Sequence, residues 1–119
     1  MTPLGQRIRL LRRRHRVTLK QMAADLQISA AYLSALEHGH RGRPSPILVD
    51  QICSYFHIIW DDADELRRLA RLSHPRITID TSGLSPRHTL LANRLAESIR
   101  DLSAEKVDRI LREVGEESG

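Results

Sequence analysis

The chain has 119 residues, a formal net charge of +4 and 40% hydrophobic residues, which is room for one domain with a modest extension and enough apolar material for a core. No apolar run approaches the roughly 20 residues of a membrane span, and no signal peptide is visible. A single cysteine, Cys53, permits no internal disulfide and fits the cytosol.

The pattern in chain order predicts helices. The first runs from about Pro3 to Arg14, with Leu4, Ile8 and Leu11 on its inner face. Its arginines superficially suggest a transit peptide, but they sit on a helix whose apolar face belongs to the fold. Thr18 can cap a second helix, since its hydroxyl can accept from free first-turn amides. Leu19, Met22, Ala23 and Leu26 then recur at three- and four-residue steps and form one apolar face. Ala23 has to be small where two helices cross steeply. Gln27 and Ile28 make a turn, Ser29 caps a third helix, and Leu33 and Leu36 point back to the second. Gly39 is a left-handed stop.

His40 to Arg43 reads as a basic loop. Ser45 and Pro46 form a cap-plus-proline start for a fourth helix, with Ile47, Leu48, Ile52 and Phe56 turned inward. Asp61 or Asp62 opens a fifth helix carrying Leu66, Leu69 and Leu72, and Trp60 is expected to plug the base of the bundle. Residues 1–73 thus form the first domain. Residues 74–84 are a linker in which alternating Ile77 and Ile79 can make a short strand over Arg76 to Asp80. A helix from about Ser85 to Leu102 follows, with Leu91, Leu95, Ile99 and Leu102 on a stripe. Ser103 caps a last helix bearing Val107, Ile110, Leu111 and Val114.

Charge is uneven. Residues 1–43 carry nine basic side chains against Asp25 and Glu37, a net +7, while the remainder carries ten basic and thirteen acidic, a net −3. A positive half attracts a polyanion, although a solvated basic face has the same composition.

The stretch Thr18 to Gly39 has the form of a helix-turn-helix, the unit that sets one helix in the DNA major groove. Thr18, Met22, Ala23, Ile28, Ser29, Tyr32, Leu33, Ser34, Leu36, Glu37 and Gly39, followed by Arg41, Pro44 and Ser45, resemble the Xre and phage-repressor (Cro/C1-type) family. The resemblance runs from about Leu4 to about Leu72. The expected fold is all-α: a five-helix lambda-repressor-like DNA-binding domain with a C-terminal helical extension.

The resemblance implies that residues at the start of the third helix (about 30–38) and one helical turn later reach base edges. Those positions hold Ala30, Ala31, Ser34 and Ala35, with Tyr32 beside them. Relatives commonly carry Gln, Arg, Lys or Asn there, which read bases by paired hydrogen bonds; alanine can only pack on a thymine methyl or permit close approach. Tyr32 can contact a base or a phosphate. Leu19 stands where relatives often place Gln, so Lys20 or Gln21 takes over the backbone grip. The amide ends of the second and third helices, the latter at Ser29, favour phosphate. Arg41 and Arg43 stand where relatives clamp the backbone. Arg12 and Glu37 match the family's internal ion pair, the alternative being a solvated Glu37.

Cys53 and His57 stand four apart, and His38 and His40 flank Gly39; neither set has the second pair that a metal site needs, so no metal and no cofactor is expected. No glycine-rich phosphate loop and no nucleophile–base motif is present, which argues against an enzyme. The expected protein is a cytoplasmic, sequence-specific DNA-binding regulator, a repressor acting on double-stranded DNA. It dimerises through the C-terminal helices of residues 85–119, which can otherwise fold back. The alternative is an antitoxin that covers a toxin partner with those helices and represses its own operon. A nucleoid-type binder with little sequence choice is a third reading.

Overall fold

Among the described residues every α-helix but the fifth is started by a serine or threonine hydroxyl cap. The computed structural model describes residues 1–40 and 44–115. Thr2 accepts from the Gly5 amide at the head of α1 (Pro3–Arg14), and Pro3 lacks only an amide that the first turn would leave unpaired anyway. A reciprocal capping box opens α2 (Leu19–Leu26): Thr18 Oγ1 accepts from the Gln21 amide while Gln21 Oε1 accepts from the Thr18 amide, each at 3.0 Å. Ser29 caps α3 (Ala30–His38), and Ser45 caps α4 (Pro46–Tyr55). The fifth helix, α5 (Trp60–Arg71), has no side-chain cap. Asp61 and Asp62 lie in its first turn, where their charge complements the helix dipole.

These five helices belong to a compact unit spanning Met1–Ile77. Within it α1 packs on α3 and α5, α2 on α3 and α4, and α4 on α5. Leu4, Ile8, Leu11, Met22, Ala23, Leu33, Leu36, Leu48, Ile52, Phe56 and Leu66 are buried, joined by Val49, Cys53, Ala63 and Ala70.

Three side chains depart from the sequence expectation. Ile47 is 72% exposed, because the inward face of α4 is set by Leu48, Val49, Ile52, Cys53 and Phe56, and position 47 falls to one side of that stripe. Leu72 is 60% exposed; it caps the C-terminus of α5, off the face of Ala63, Leu66 and Ala70. Trp60 is not a plug at all: it is 81% exposed and enters α5 through left-handed backbone at φ 53°, flanked in sequence by buried Phe56 and Ala63. The fifth helix therefore starts before Asp61. Leu69, in contrast, is partly buried against the core.

A buried polar link closes this unit. Ser73, 5% exposed, accepts from the Leu4 amide at 2.9 Å and donates to the Leu69 carbonyl. One hydroxyl thereby satisfies a free amide in the first turn of α1 and a carbonyl at the end of α5.

The second unit runs from Thr78 onward. No strand occurs among the described residues: Arg76 lies in a bend and residues 77–80 form no regular structure. Ile77 and Ile79 are 68% and 55% exposed. A lone strand has no ladder to satisfy its backbone, so alternation by itself does not make one. The backbone turns instead: the Ser82 amide donates to the Asp80 carboxylate, the Leu84 amide donates to the Thr81 carbonyl, and Gly83 takes φ 78°. Ser85 then caps α6 (Pro86–Ser98), which ends in a 3-10 turn over Ile99–Asp101 rather than continuing to Leu102 as one α-helix. Ser103 caps α7 (Ala104–Glu113). Neither α6 nor α7 contains a fully buried residue.

Candidate nucleic-acid interface

The turn between α2 and α3 is built from the backbone. Gln27 adopts a left-handed conformation at φ 60°, its amide donates to the Ala24 carbonyl, and the Ile28 amide donates to the Ala23 carbonyl at 3.0 Å. Met22 and Ala23 are buried against Leu33 and Leu36, which fixes α3 on α2. At the other end of α3, Gly39 takes φ 77°, a conformation that disfavours any other side chain, and an added Cβ would lie 3.0 Å from the Thr2 methyl.

Two features lock α3 to α1. Glu37 is 1% exposed, and its carboxylate accepts from Arg12 Nε at 2.8 Å and from Arg12 Nη2 at 3.0 Å. This fork-to-carboxylate geometry is the strong form of the pair. The Arg12 side chain is 14% exposed. Gly5 lies against the backbone of the same residue: a Cβ placed there would sit 2.1 Å from the Glu37 carbonyl oxygen. The side chain and backbone of Glu37 are thus both held by α1, and the Arg12 charge is committed within the protein.

A third tie joins α2 to α4. Tyr55 Oη donates to Asp25 Oδ2 at 2.7 Å. Burial, and then the acceptor carboxylate and its charge, push the Tyr55 phenol up to about 12. A group whose folded pKa is raised contributes stability that is fully present below its ordinary value near 10 and is lost as pH rises through about 12. In an alkaline titration followed at 295 nm, a component near pH 12 is expected. It should vanish in Tyr55→Phe and move to lower pH in Asp25→Asn.

The surface these ties hold in place is small-faced. Ala31 is exposed, and Ala30, Tyr32, Ser34 and Ala35 are half-buried, so the front of α3 carries little bulk. The Ser29 hydroxyl is occupied by the Tyr32 amide, and the Ser34 carbonyl lies 2.9 Å from His38 Nδ1. Lys20 and Gln21 are exposed on the first turn of α2. The Gln21 carbonyl oxygen is spent on the capping box, which leaves its amide hydrogens to face outward chemistry. Neither α2 nor α3 has an acidic residue in its first turn, unlike α5, so both amide ends keep their positive character. Arg41 and Arg43 lie outside the described residues.

Two short helices joined by a left-handed turn, with α3 held on α1 and its front left clear, are matched by the family model for the helix-turn-helix domain over residues 3–69, more than half of the chain. The chain belongs to the helix-turn-helix domain family. The chain is similar to two curated proteins of Bacillus subtilis. One is the uncharacterized HTH-type transcriptional regulator RghRB, 34% identical over 62 residues, covering 52% of this chain and 45% of the relative. The other is the HTH-type transcriptional repressor RghR, 31% identical over 61 residues, covering 51% of this chain and 45% of the relative. The aligned part spans a little under half the length of both relatives. No solved structure matches the chain significantly. No described helix is long and apolar enough to cross a membrane.

Sequence reasoning missed Gly5, Ser73 and the Asp25–Tyr55 bond. A glycine inside a helical pattern was the available signal for Gly5, since it costs about 1 kcal/mol there and usually has a packing reason. Ser73 and the Asp25–Tyr55 pair carried no local signal, because each acts across a long separation in sequence.

Proposed function

We propose that the chain is a cytoplasmic, sequence-specific DNA-binding transcriptional repressor of the Xre type that sets α3 in the major groove. The observation that carries this reading is the fixed α3 with a small-residue front: Arg12 and Gly5 immobilise its C-terminal end at Glu37, while Ala31 is exposed, Ser34 and Ala35 are half-buried, and Ala30 and Tyr32 lie partly against the core. The naming of one relative as a repressor supports the direction of regulation. In this mechanism Lys20, Gln21, Arg41, Arg43 and the Ser29 end of α3 hold phosphates, and bound protein blocks polymerase.

Direct base readout is thin. Ala30, Ala31 and Ala35 offer only methyl contacts to thymine, so Tyr32, Ser34 and DNA shape carry selectivity. The chain acts as a homodimer through its second unit, which spaces two copies of α3 by about one turn of DNA. It binds rather than catalyses.

Selection of bound DNA from a random library, followed by salt titration on the enriched site, tests this. An enriched two-fold site with half-sites about one helical turn apart is expected. Affinity should fall with salt, and Lys20→Ala should lower the slope by about 0.9 log units per log unit of salt. No enrichment, with equal affinity for all sequences, would refute sequence-specific regulation.

A further inference from the structure

The helix α7 has an apolar stripe that its own unit buries only in part. Val107 and Ile110 are half-buried, Leu111 is 39% exposed and Val114 is 73% exposed. The steps from Val107 to Ile110 to Val114 are three and then four residues, the spacing of a coiled-coil seam. Ser103 stands one step earlier on the same seam. Ala104 and Leu111 flank it on one side, Lys106 and Glu113 on the other.

These flanks discriminate between the ways in which two such helices can pair. In an antiparallel pair about a two-fold axis near Asp108 and Arg109, Val107 of one copy meets Ile110 of the other, and the reverse. Lys106 then lies beside Glu113 of the second copy, and this happens twice. On the opposite flank Leu111 lies over the small Ala104 of the second copy, again twice. In a parallel, in-register pair Lys106 would face Leu111, and Glu113 would meet no basic side chain among the described residues. Within the chain, neither Lys106 nor Glu113 takes part in an ion pair among the described residues. Charge and size complementarity both select the antiparallel arrangement.

We infer that α7 is an antiparallel self-pairing helix whose partner is α7 of a second copy of this chain, with Val107 and Ile110 in the seam and reciprocal Lys106–Glu113 pairs fixing orientation. This rests on the reading of the protein as a homodimer and specifies which helix pairs and in which direction. A two-fold antiparallel seam supplies the symmetry that a two-fold operator requires.

The test is sedimentation equilibrium on the full chain as wild type, Lys106→Glu, Glu113→Lys and the double exchange, with Ile110→Asp as the seam variant. Circular dichroism checks that each remains helical. Each single reversal converts two attractive pairs into two repulsive ones and should weaken the dimer at least about tenfold. The double exchange should restore wild-type association, and Ile110→Asp should be monomeric. A dimer of equal strength in all variants would overturn the α7 pairing while leaving a homodimer built elsewhere. A double exchange no better than the single reversals would overturn the antiparallel register. A wild-type monomer at all concentrations would remove the homodimer reading itself, and with it this one.

Discussion

Arg12→Met is expected to destabilise the Met1–Ile77 unit by about 3–5 kcal/mol, the range for breaking one side of a buried ion pair. Glu37 is 1% exposed and receives both of its charge-assisted bonds from Arg12. Methionine keeps much of the apolar stem but leaves the carboxylate without either donor, so the desolvation that the pair offsets becomes a net cost. For a unit of this size each kcal/mol shifts the melting temperature by about 4–8 °C, so a fall of about 12 °C or more is expected. Since whole domains are stable by only about 5–15 kcal/mol, that is a large share of the total. Arg12→Lys should lose less, because it keeps the charge and gives up only the two-pronged geometry. Thermal melts read by circular dichroism decide the matter. A melting temperature unchanged in Arg12→Met would show that Glu37 does not depend on its partner.

Gly5→Ala is expected to cost about 3 kcal/mol or more, against the local preference of the helix. In an exposed helix interior alanine would be favoured over glycine by about 1 kcal/mol. Here the new Cβ would lie 2.1 Å from the Glu37 carbonyl oxygen and 2.7 Å from both its carbonyl carbon and its Cα. Carbon–oxygen contacts normally stand at about 3.3–3.6 Å, so α1 would have to move away from α3 by more than an ångström. The obstacle is backbone, which cannot swing aside as a flexible side chain would. Moving α1 would also draw Leu4 and Ile8 out of the core and lengthen the Arg12–Glu37 bonds. Overpacking of this kind costs about 1–3 kcal/mol, and more where backbone must shift. Gly83→Ala is the control: Gly83 has φ 78° but nothing within 4 Å of its added Cβ, so only backbone strain is paid there. Equal melting of Gly5→Ala and wild type would mean that α1 and α3 approach less closely than described.

Both changes act at the same residue, and this bears on function. Glu37 ends the helix proposed to enter the groove, and α1 holds it by side chain and backbone together. Variants that loosen this contact should lose DNA affinity in step with stability. Lys20→Ala should lose affinity with little change in melting.

Much of this arrangement was legible in local sequence. Thr18, Ser29, Ser45, Ser85 and Ser103 announced helix starts because a capping hydroxyl acts within three residues of itself. Leu4, Ile8, Leu11, Met22, Leu33 and Leu36 were readable as core because helical periodicity is local too. Arg12 and Glu37 were legible only through the family resemblance, since nothing in their 25-residue separation announces a contact. The misreadings lie where one residue's environment depends on distant chain. Trp60 looked like a plug because it is large and apolar, yet backbone at φ 53° leaves it outside. Ile77 and Ile79 alternated as a strand does, yet among the described residues no neighbouring strand offers them hydrogen bonds.

By itself, then, the sequence determined the helices, their caps, the left-handed turn at Gly39 and the helix-turn-helix motif, because those depend on interactions spanning at most a few residues. Tertiary structure alone decided which apolar side chains the core accepts, why position 5 has no side chain, and how Ser73 and Tyr55 tie remote helices together. Such contacts join residues far apart in the chain, and their energy exists only once the helices have packed.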